Sequence, residues 1–346
     1  MAITDQDIAD LVIGTQKDLG RPDFQQIAQN LTDYELFPVW WKKDRVNFDS
    51  GIGIQKTLMN RLPDVARHVG WTEADTPSIQ DLLTTLNIPW RHATTHWSYK
   101  RQEMLMNRGK SLVTNVVKAR RIGALIDMVE TVEAAGWTWP SSSDDDTEPY
   151  GIPYYVVKGS ATPGFNGTVA SGHTTCAGVN TTTTPGYKNY TGQYDAITKA
   201  DLIKKMRTMK RKTGFKSPVD SPDYFRGKGM RYRVYVNEAT LAGLEDVGES
   251  QNENLGRDIA SMDGVNMAFR GHPLRYVPQL DSDTTDPVYF LDHSTWQVVA
   301  LAGDFLRESD PIRDPDKHDW FTIYQDVTYN YLCVDRRRNG VLHNAA

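Results

Sequence analysis

Cysteine is nearly absent: Cys176 and Cys333 are the only two in 346 residues. They lie far apart, which excludes a disulfide scaffold and fits a reducing compartment. No apolar run approaches the ~20 residues needed to span a bilayer, so no membrane partner is expected. The opening MAITDQDIADLVIG lacks a basic stretch followed by an apolar one, and the expectation is a soluble chain made in the cytoplasm without a signal peptide. Hydrophobic residues make up 39%, below the usual range for a compact domain. The net charge of −5 argues against a dedicated nucleic-acid binder, while leaving room for a local basic face. GxSxG, a Walker loop, GxGxxG after a strand and HExxH are all missing, so the chain is read as no enzyme, and no cofactor is expected.

Large amphipathic rings, by contrast, are plentiful, with 9 Trp and 16 Tyr. Few aliphatic residues and many aromatics suit a protein with much surface in extended arms or partner interfaces. The last quarter, Phe269 to Leu342, is the most ordered-looking segment. Leu274, Tyr276, Val288, Phe290, Phe321 and Ile323 alternate with polar residues, the period of half-buried strands, and turn clusters such as Asp281-Ser282-Asp283 separate them. That segment contains no set of nucleophile, base and metal ligand. It reads as sheet built for contact.

Upstream, two short amphipathic helices are expected in the first forty residues, one opening at Thr4 with Asp7 and the next at Pro22. Residues 34–48 are dense in aromatics and read as extended. Ser50 to about Trp97 is irregular and polar, yet Trp71, Trp90 and Trp97 argue against disorder. Gln102 to Ala135 gives the strongest helical pattern, with a stripe through Ile122, Ile126, Val129 and Val132 and a stop at Gly136. Pro140 to Gly192 reads as a Thr/Gly-rich insertion, with a hairpin signal at Asn166-Gly167. A helix follows from Thr198, then a strand from Arg231 to Val236 and a helix capped by Asn237. Strands and long helices in separate blocks make the class α+β.

Each chemically suggestive cluster has an ordinary reading. His92 and His96 stand four apart in a strand or loop with no third ligand near, and His173 with Cys176 lacks the other pair that a zinc site needs. Asp144, Asp145, Asp146 and Glu148 lack calcium-loop spacing and read as a solvated turn. Lys204 to Lys216 is sharply basic and reads as the solvated face of a helix, with phosphate neutralisation as the alternative. Arg336, Arg337 and Arg338 suit carboxylates on this or a neighbouring chain.

The order of these elements resembles the major capsid proteins of tailed bacteriophages, the Hong Kong 97-type fold. EMLMNRGKSLVTNVVKARRIGALIDMVETVEAAGW is similar to the family's long spine helix, and RYRVYVNEATLAGLED to its strand and asparagine-capped helix. GHPLRYVPQLD, PVYFLDHSTWQVVA and the strand ending DRRRNGVL resemble its closing segments. The resemblance implies an N-terminal arm (1–45), an extended loop (46–98), a peripheral domain with spine helix and insertion (99–199), an axial domain (200–315) and a closing peripheral strand (316–346). It implies an icosahedral shell of hexamers and pentamers enclosing double-stranded DNA, in a virion assembled in the bacterial cytoplasm. Implied partners are copies of the chain, a separate scaffolding protein, a portal and a decoration protein, with DNA met non-specifically. Trp71, Trp90, Trp97, Arg336, Arg337 and Arg338 are the expected intersubunit contacts, with Asn339 a weak candidate for a Lys–Asn crosslink. Deletion of 50–95 is expected to abolish assembly and spare the rest. The alternatives are an encapsulin-like compartment and a carbohydrate-active or glycan-binding protein.

Overall fold

In the computed structural model the described residues are 34–42, 45–59, 66, 68, 70–71, 82–106, 110–214, 232–249 and 268–345, with only the backbone described for 104–106, 110–118 and 249. The two helices expected before Leu31, and the end of the basic run at Phe215 and Lys216, lie outside them. In chain order the elements begin α1 (Phe37–Trp40), β1 (Val46–Asp49), β2 (Ile54–Met59), β3 (Leu83–Ile88), β4 (Arg91–Lys100), α2 (Arg101–Met106) and α3 (Lys110–Gly136). Next come α4 (Ile152–Tyr155), β5 (Gly164–Gly167), β6 (Asn189–Tyr194), α5 (Leu202–Thr213), β7 (Tyr232–Val236) and α6 (Glu238–Glu249). The rest is strand: β8 (Ala268–Phe269), β9 (His272–Tyr276), β10 (Val288–Asp292), β11 (Trp296–Leu301), β12 (Arg307–Glu308), β13 (Ile312–Arg313), β14 (Trp320–Cys333) and β15 (Gly340–Asn344).

Two sheets organise the molecule. In the six-stranded one, β14 carries β4 along one edge and β11, β12 and β13 in succession along the other, and β1 extends it beyond β11. The first half of β14 alternates, burying Phe321, Ile323, Gln325 and Val327. From Thr328 onward every residue is buried, because both faces are now covered. The seven-stranded sheet runs β5-β6-β15-β10-β7-β9-β8. Here β10 is buried throughout, so the half-buried alternation expected at Val288 and Phe290 gives way to a strand covered on both faces, and β11 in the six-stranded sheet is likewise buried up to its last residue.

From β5 onward the chain changes sheets twice, through Asp292–Thr295 and through 334–339, and Asn339 stitches the two crossings together. Its Oδ1 accepts from Asp292 N (2.9 Å) and Trp296 Nε1 (3.2 Å), while its Nδ2 donates to Thr295 Oγ1 (2.9 Å) and Asp335 O (3.0 Å). Fully buried and fully bonded, it does not fit the crosslink expected of it. These crossings also differ from the expected divisions. Residues 296–313 belong to the same sheet as β14, and β15 pairs with β6 in the other one. Likewise 46–98 is not one loop, since β1 and β4 are sheet strands and only the β2–β3 ribbon stands apart.

The spine helix α3 is 27 residues long, about 40 Å at 1.5 Å per residue. Its inward stripe is Arg121, Ala124, Met128, Val132 and Ala135, so of the expected Ile122, Ile126, Val129 and Val132 only the last is buried. The helix is turned about one residue from the apolar reading because two charged groups face inward. Arg121 grips Glu308 bidentately (2.6 and 2.8 Å), and Glu133 is taken up by the arm.

The Thr/Gly-rich segment is no outer insertion. Tyr150, Ile152, Tyr154, Tyr155, Val179 and Tyr187 lie in the main core. Asn166-Gly167 sits inside β5 and makes no tight hairpin, since β5 pairs with β6 more than twenty residues on. At the start of α6, Asn237 Oδ1 accepts from Thr240 N (3.1 Å), as expected of an N-cap. Asn237→Ala is therefore expected to cost about 1 kcal/mol in urea unfolding.

Candidate assembly surfaces

Residues 34–42 and 45–46 form a clasp that ties both sheets to the spine helix. The position before α1 is Leu36, which offers no capping oxygen of its own. Glu133 on α3 supplies the acceptor instead: Oε1 takes Glu35 N (3.1 Å) and Leu36 N (3.0 Å), and Oε2 takes Leu36 N (3.1 Å) and Phe37 N (2.7 Å). Glu35 reaches the seven-stranded sheet through Arg233 (3.0 Å) and Arg275 (3.7 Å). Trp40 stacks on Trp296 at 5.0 Å and donates from Nε1 to His293 Nδ1 (2.8 Å) in the first crossing. An indole N–H only donates, so Nδ1 must accept and the imidazole proton sits on Nε2, facing Tyr235 Oη at 2.8 Å. Trp41 packs edge-on against Tyr329 (4.9 Å), and Val46 opens β1, which adds in parallel to β11. Residues 34–48 thus hold a short helix and an edge strand, where a continuous extended segment was expected.

From the clasp the chain runs into the β2–β3 ribbon. Its six pairs run from Ile54↔Ile88 to Met59↔Leu83. Only the base is buried: Ile54, Leu86 and Ile88 join the main core, and Asn87 N donates to Ala177 O (2.9 Å). Toward the far end Leu58 and Thr84 are only half-buried, and Met59 and Leu83 stand 59% and 60% exposed. A two-stranded ribbon with so little covered is marginal by itself. Further apolar side chains stand in solvent at Phe48, Ile52 and Trp71, and α3 leaves a half-exposed strip of Ile122, Leu125, Ile126 and Val129. Such surfaces mark contact sites rather than chemistry.

The six residues expected as intersubunit contacts divide. Trp71 is fully exposed, and Arg337 is exposed beside Asp335 (3.1 Å). Trp90 is half-buried and donates to Gly51 O (2.9 Å). Trp97 is buried between the six-stranded sheet and α3, with Tyr99, Ala124, Phe321 and Ile323. Arg336 is wholly buried: its guanidinium donates to Tyr155 O (2.6 Å), Tyr187 O (2.9 Å) and Asn189 Oδ1 (3.1 Å), locking the Thr/Gly-rich segment to the second crossing. Arg338 is buried near Asp292 (3.8 Å). Trp97, Arg336 and Arg338 are therefore corrected to internal positions, because their own chain supplies their partners. Arg337 is the exposed member of the three, which share a 3-10 turn.

The chemically suggestive clusters resolve into local structure. Asp145 accepts from Thr147 Oγ1 and N, which holds its carboxyl down at about 2, and Glu148 accepts from Thr138. His92 contacts Thr328 Oγ1 (2.9 Å), and His96 lies against the Tyr324 ring. Burial pushes the thiols of Cys176 and Cys333 up, away from the thiolate form. Among the described residues no group of three or more His, Cys, Asp or Glu could hold a metal, and no helix is long and apolar enough to cross a membrane.

No family model and no curated protein matches the chain. Solved structures do. The capsid asymmetric unit of cyanophage A-1(L) superimposes with a TM-score of 0.63 at 13% identity, over 93% of this chain and 96% of that one. The capsid of an empty GTA particle gives 0.53 at 14% identity, over 93% and 100%. The mature capsid of bacteriophage PhiM1 gives 0.51 at 10% identity, over 94% and 90%. At these identities it is the fold that is shared, and the α+β capsid fold expected from the order of elements is the one the chain has.

Proposed function

We propose that this chain is the major shell subunit of a tailed-phage head, closing into an icosahedral particle of hexamers and pentamers around double-stranded DNA. The observation that carries the reading is the β2–β3 ribbon, anchored at its base and bare at its end on a fold shared with phage capsids. A marginal ribbon gains burial when a second copy covers it, and closed-symmetry repetition of that contact builds a shell. Phe48, Ile52, Met59, Leu83, Trp71, the α3 strip and Arg337 are the contacts this assigns. The six-stranded sheet with α3 then takes the peripheral place, and the seven-stranded sheet with α5 and α6 the axial one. Assembly in the bacterial cytoplasm, with a separate scaffolding protein, a portal and a decoration protein, belongs to the same reading, and the subunit's role is structural rather than enzymatic. The matched structures are phage and GTA capsids, which supports this reading over a cargo compartment or a glycan-active protein.

The test is expression of the chain alone and together with a candidate scaffold, followed by particle mass and imaging. Closed shells of megadalton mass are expected under at least one condition. A strictly monomeric product under both would overturn the proposal.

A further inference from the structure

Helix α5 carries six cations in nine positions (Lys204, Lys205, Arg207, Lys210, Arg211 and Lys212), and no acidic residue stands between Leu202 and Gly214. Its other face is fully committed: Leu202, Met206, Met209 and Thr213 are buried, the first three in the core under the seven-stranded sheet. The basic face therefore points away from the fold, with Lys204, Arg211 and Lys212 exposed. Among the described residues only Lys205 has a carboxylate partner, Asp201 at 2.5 Å, while Lys210 donates to the carbonyl of Arg270 (2.9 Å). Burial and the Arg270 charge hold the Lys210 ammonium below its ordinary value.

A merely solvated helix would intersperse both signs, because like charges three and four positions apart destabilise it by about 0.2–0.5 kcal/mol per pair. Here Lys204 and Arg207, Arg207 and Lys210, and Arg207 and Arg211 stand at those spacings without one interposed carboxylate. A chain with a net charge of −5 has acids to spare and places none there. Apart from Thr208, the exposed face offers no aromatic or apolar side chain between the cations, so it lacks the anchoring core of a protein interface. It offers flexible point charges along about 12 Å of helix, and the backbone of a duplex spaces its phosphates about 3.4 Å apart on each strand.

We infer that the basic face of α5 is a sequence-independent binding surface for the phosphate backbone of duplex DNA. It deepens the shell reading, naming where the enclosed genome meets the subunit, but its test does not depend on assembly. The full-length chain is titrated with a short random-sequence DNA duplex by fluorescence anisotropy, between about 50 and 200 mM salt. The triple variant Lys204→Gln, Arg211→Gln, Lys212→Gln is compared with a control of equal charge, Lys56→Gln, Arg313→Gln, Lys317→Gln, after near-UV circular dichroism shows both folded. The wild type and the control are expected to bind alike. The helix variant is expected to bind at least tenfold more weakly, its slope of log affinity against log salt shallower by roughly 2.7, or 0.9 for each lost phosphate contact. Equal losses in the two variants, or no binding by the wild type at the lowest salt, would overturn the inference. So would poly-glutamate of matched charge displacing the duplex, which would reassign the face to an acidic protein. Particle mass, measured separately, reports on the shell reading alone.

Discussion

Excising residues 57–85 and closing the cut with Asn-Gly yields a chain that folds and assembles no shell. Lys56 and Leu86 are cross-strand partners, so a two-residue turn of that type bridges them without moving either. The excision keeps Ile54, Leu86 and Ile88, the three ribbon residues that belong to the main core. What is lost among the described residues is the exposed Met59, Leu83 and Trp71, together with Leu58, which is only half-buried where it packs on the main core. The melting temperature should therefore stay within about 4 °C of the parent, the equivalent of roughly 1 kcal/mol. Sedimentation should find only subunits or small oligomers. The broader excision of 50–95 suggested by sequence alone removes half of β4, which pairs with β14 over its whole length, and is expected to leave insoluble protein. Shells of normal size from the 57–85 variant would show that the ribbon is dispensable.

Glu133→Ala is expected to lose about 3–5 kcal/mol of unfolding free energy in urea, the sum of the costs of leaving three buried backbone donors without an acceptor. Glu133 is 1% exposed and its carboxylate serves the N–H groups of residues 35, 36 and 37 at the entry to α1. Alanine leaves those donors buried with no acceptor, each worth about 1–3 kcal/mol. Glu133→Gln should fall between, because its NH2 would confront two of the donors it replaces. A loss below about 1 kcal/mol for alanine would mean that the clasp is held by Trp40 and Trp41 packing alone. Proteolysis of the folded variant near residue 42 is the accompanying readout, since the arm is released first.

The sequence made the order of elements legible where one physical signal dominated. The 3.6-residue period and the proline-free run marked α3, the Asn237 cap marked α6, and alternation at Phe321 and Ile323 marked the half of β14 that has one open face. The signal failed where tertiary partners override it. Arg121 and Glu133 face inward because Glu308 and the arm await them, which no apolar pattern records. The ribbon escaped detection because its one inward face mixes polar and apolar residues (Lys56 and Thr84 beside Leu58, Leu86 and Ile88), and its register comes from pairing. Trp97, Arg336 and Arg338 were drawn to the surface by residue type, whereas their burial depends on Ala124, Tyr155, Tyr187 and Asp292, some far away in sequence. The ribbon end, visible only in three dimensions, takes their place in the proposed contact surface.

The central claim is that this ribbon is completed by another copy of the chain. Isotopically labelled and unlabelled subunits, assembled together and treated with an amine-reactive crosslinker, test it through Lys56, which is exposed on β2. Mass spectrometry is expected to find Lys56 joined to peptides of the opposite label about as often as to its own. Crosslinks from Lys56 confined to a single label, in particles that have formed, would contradict the account.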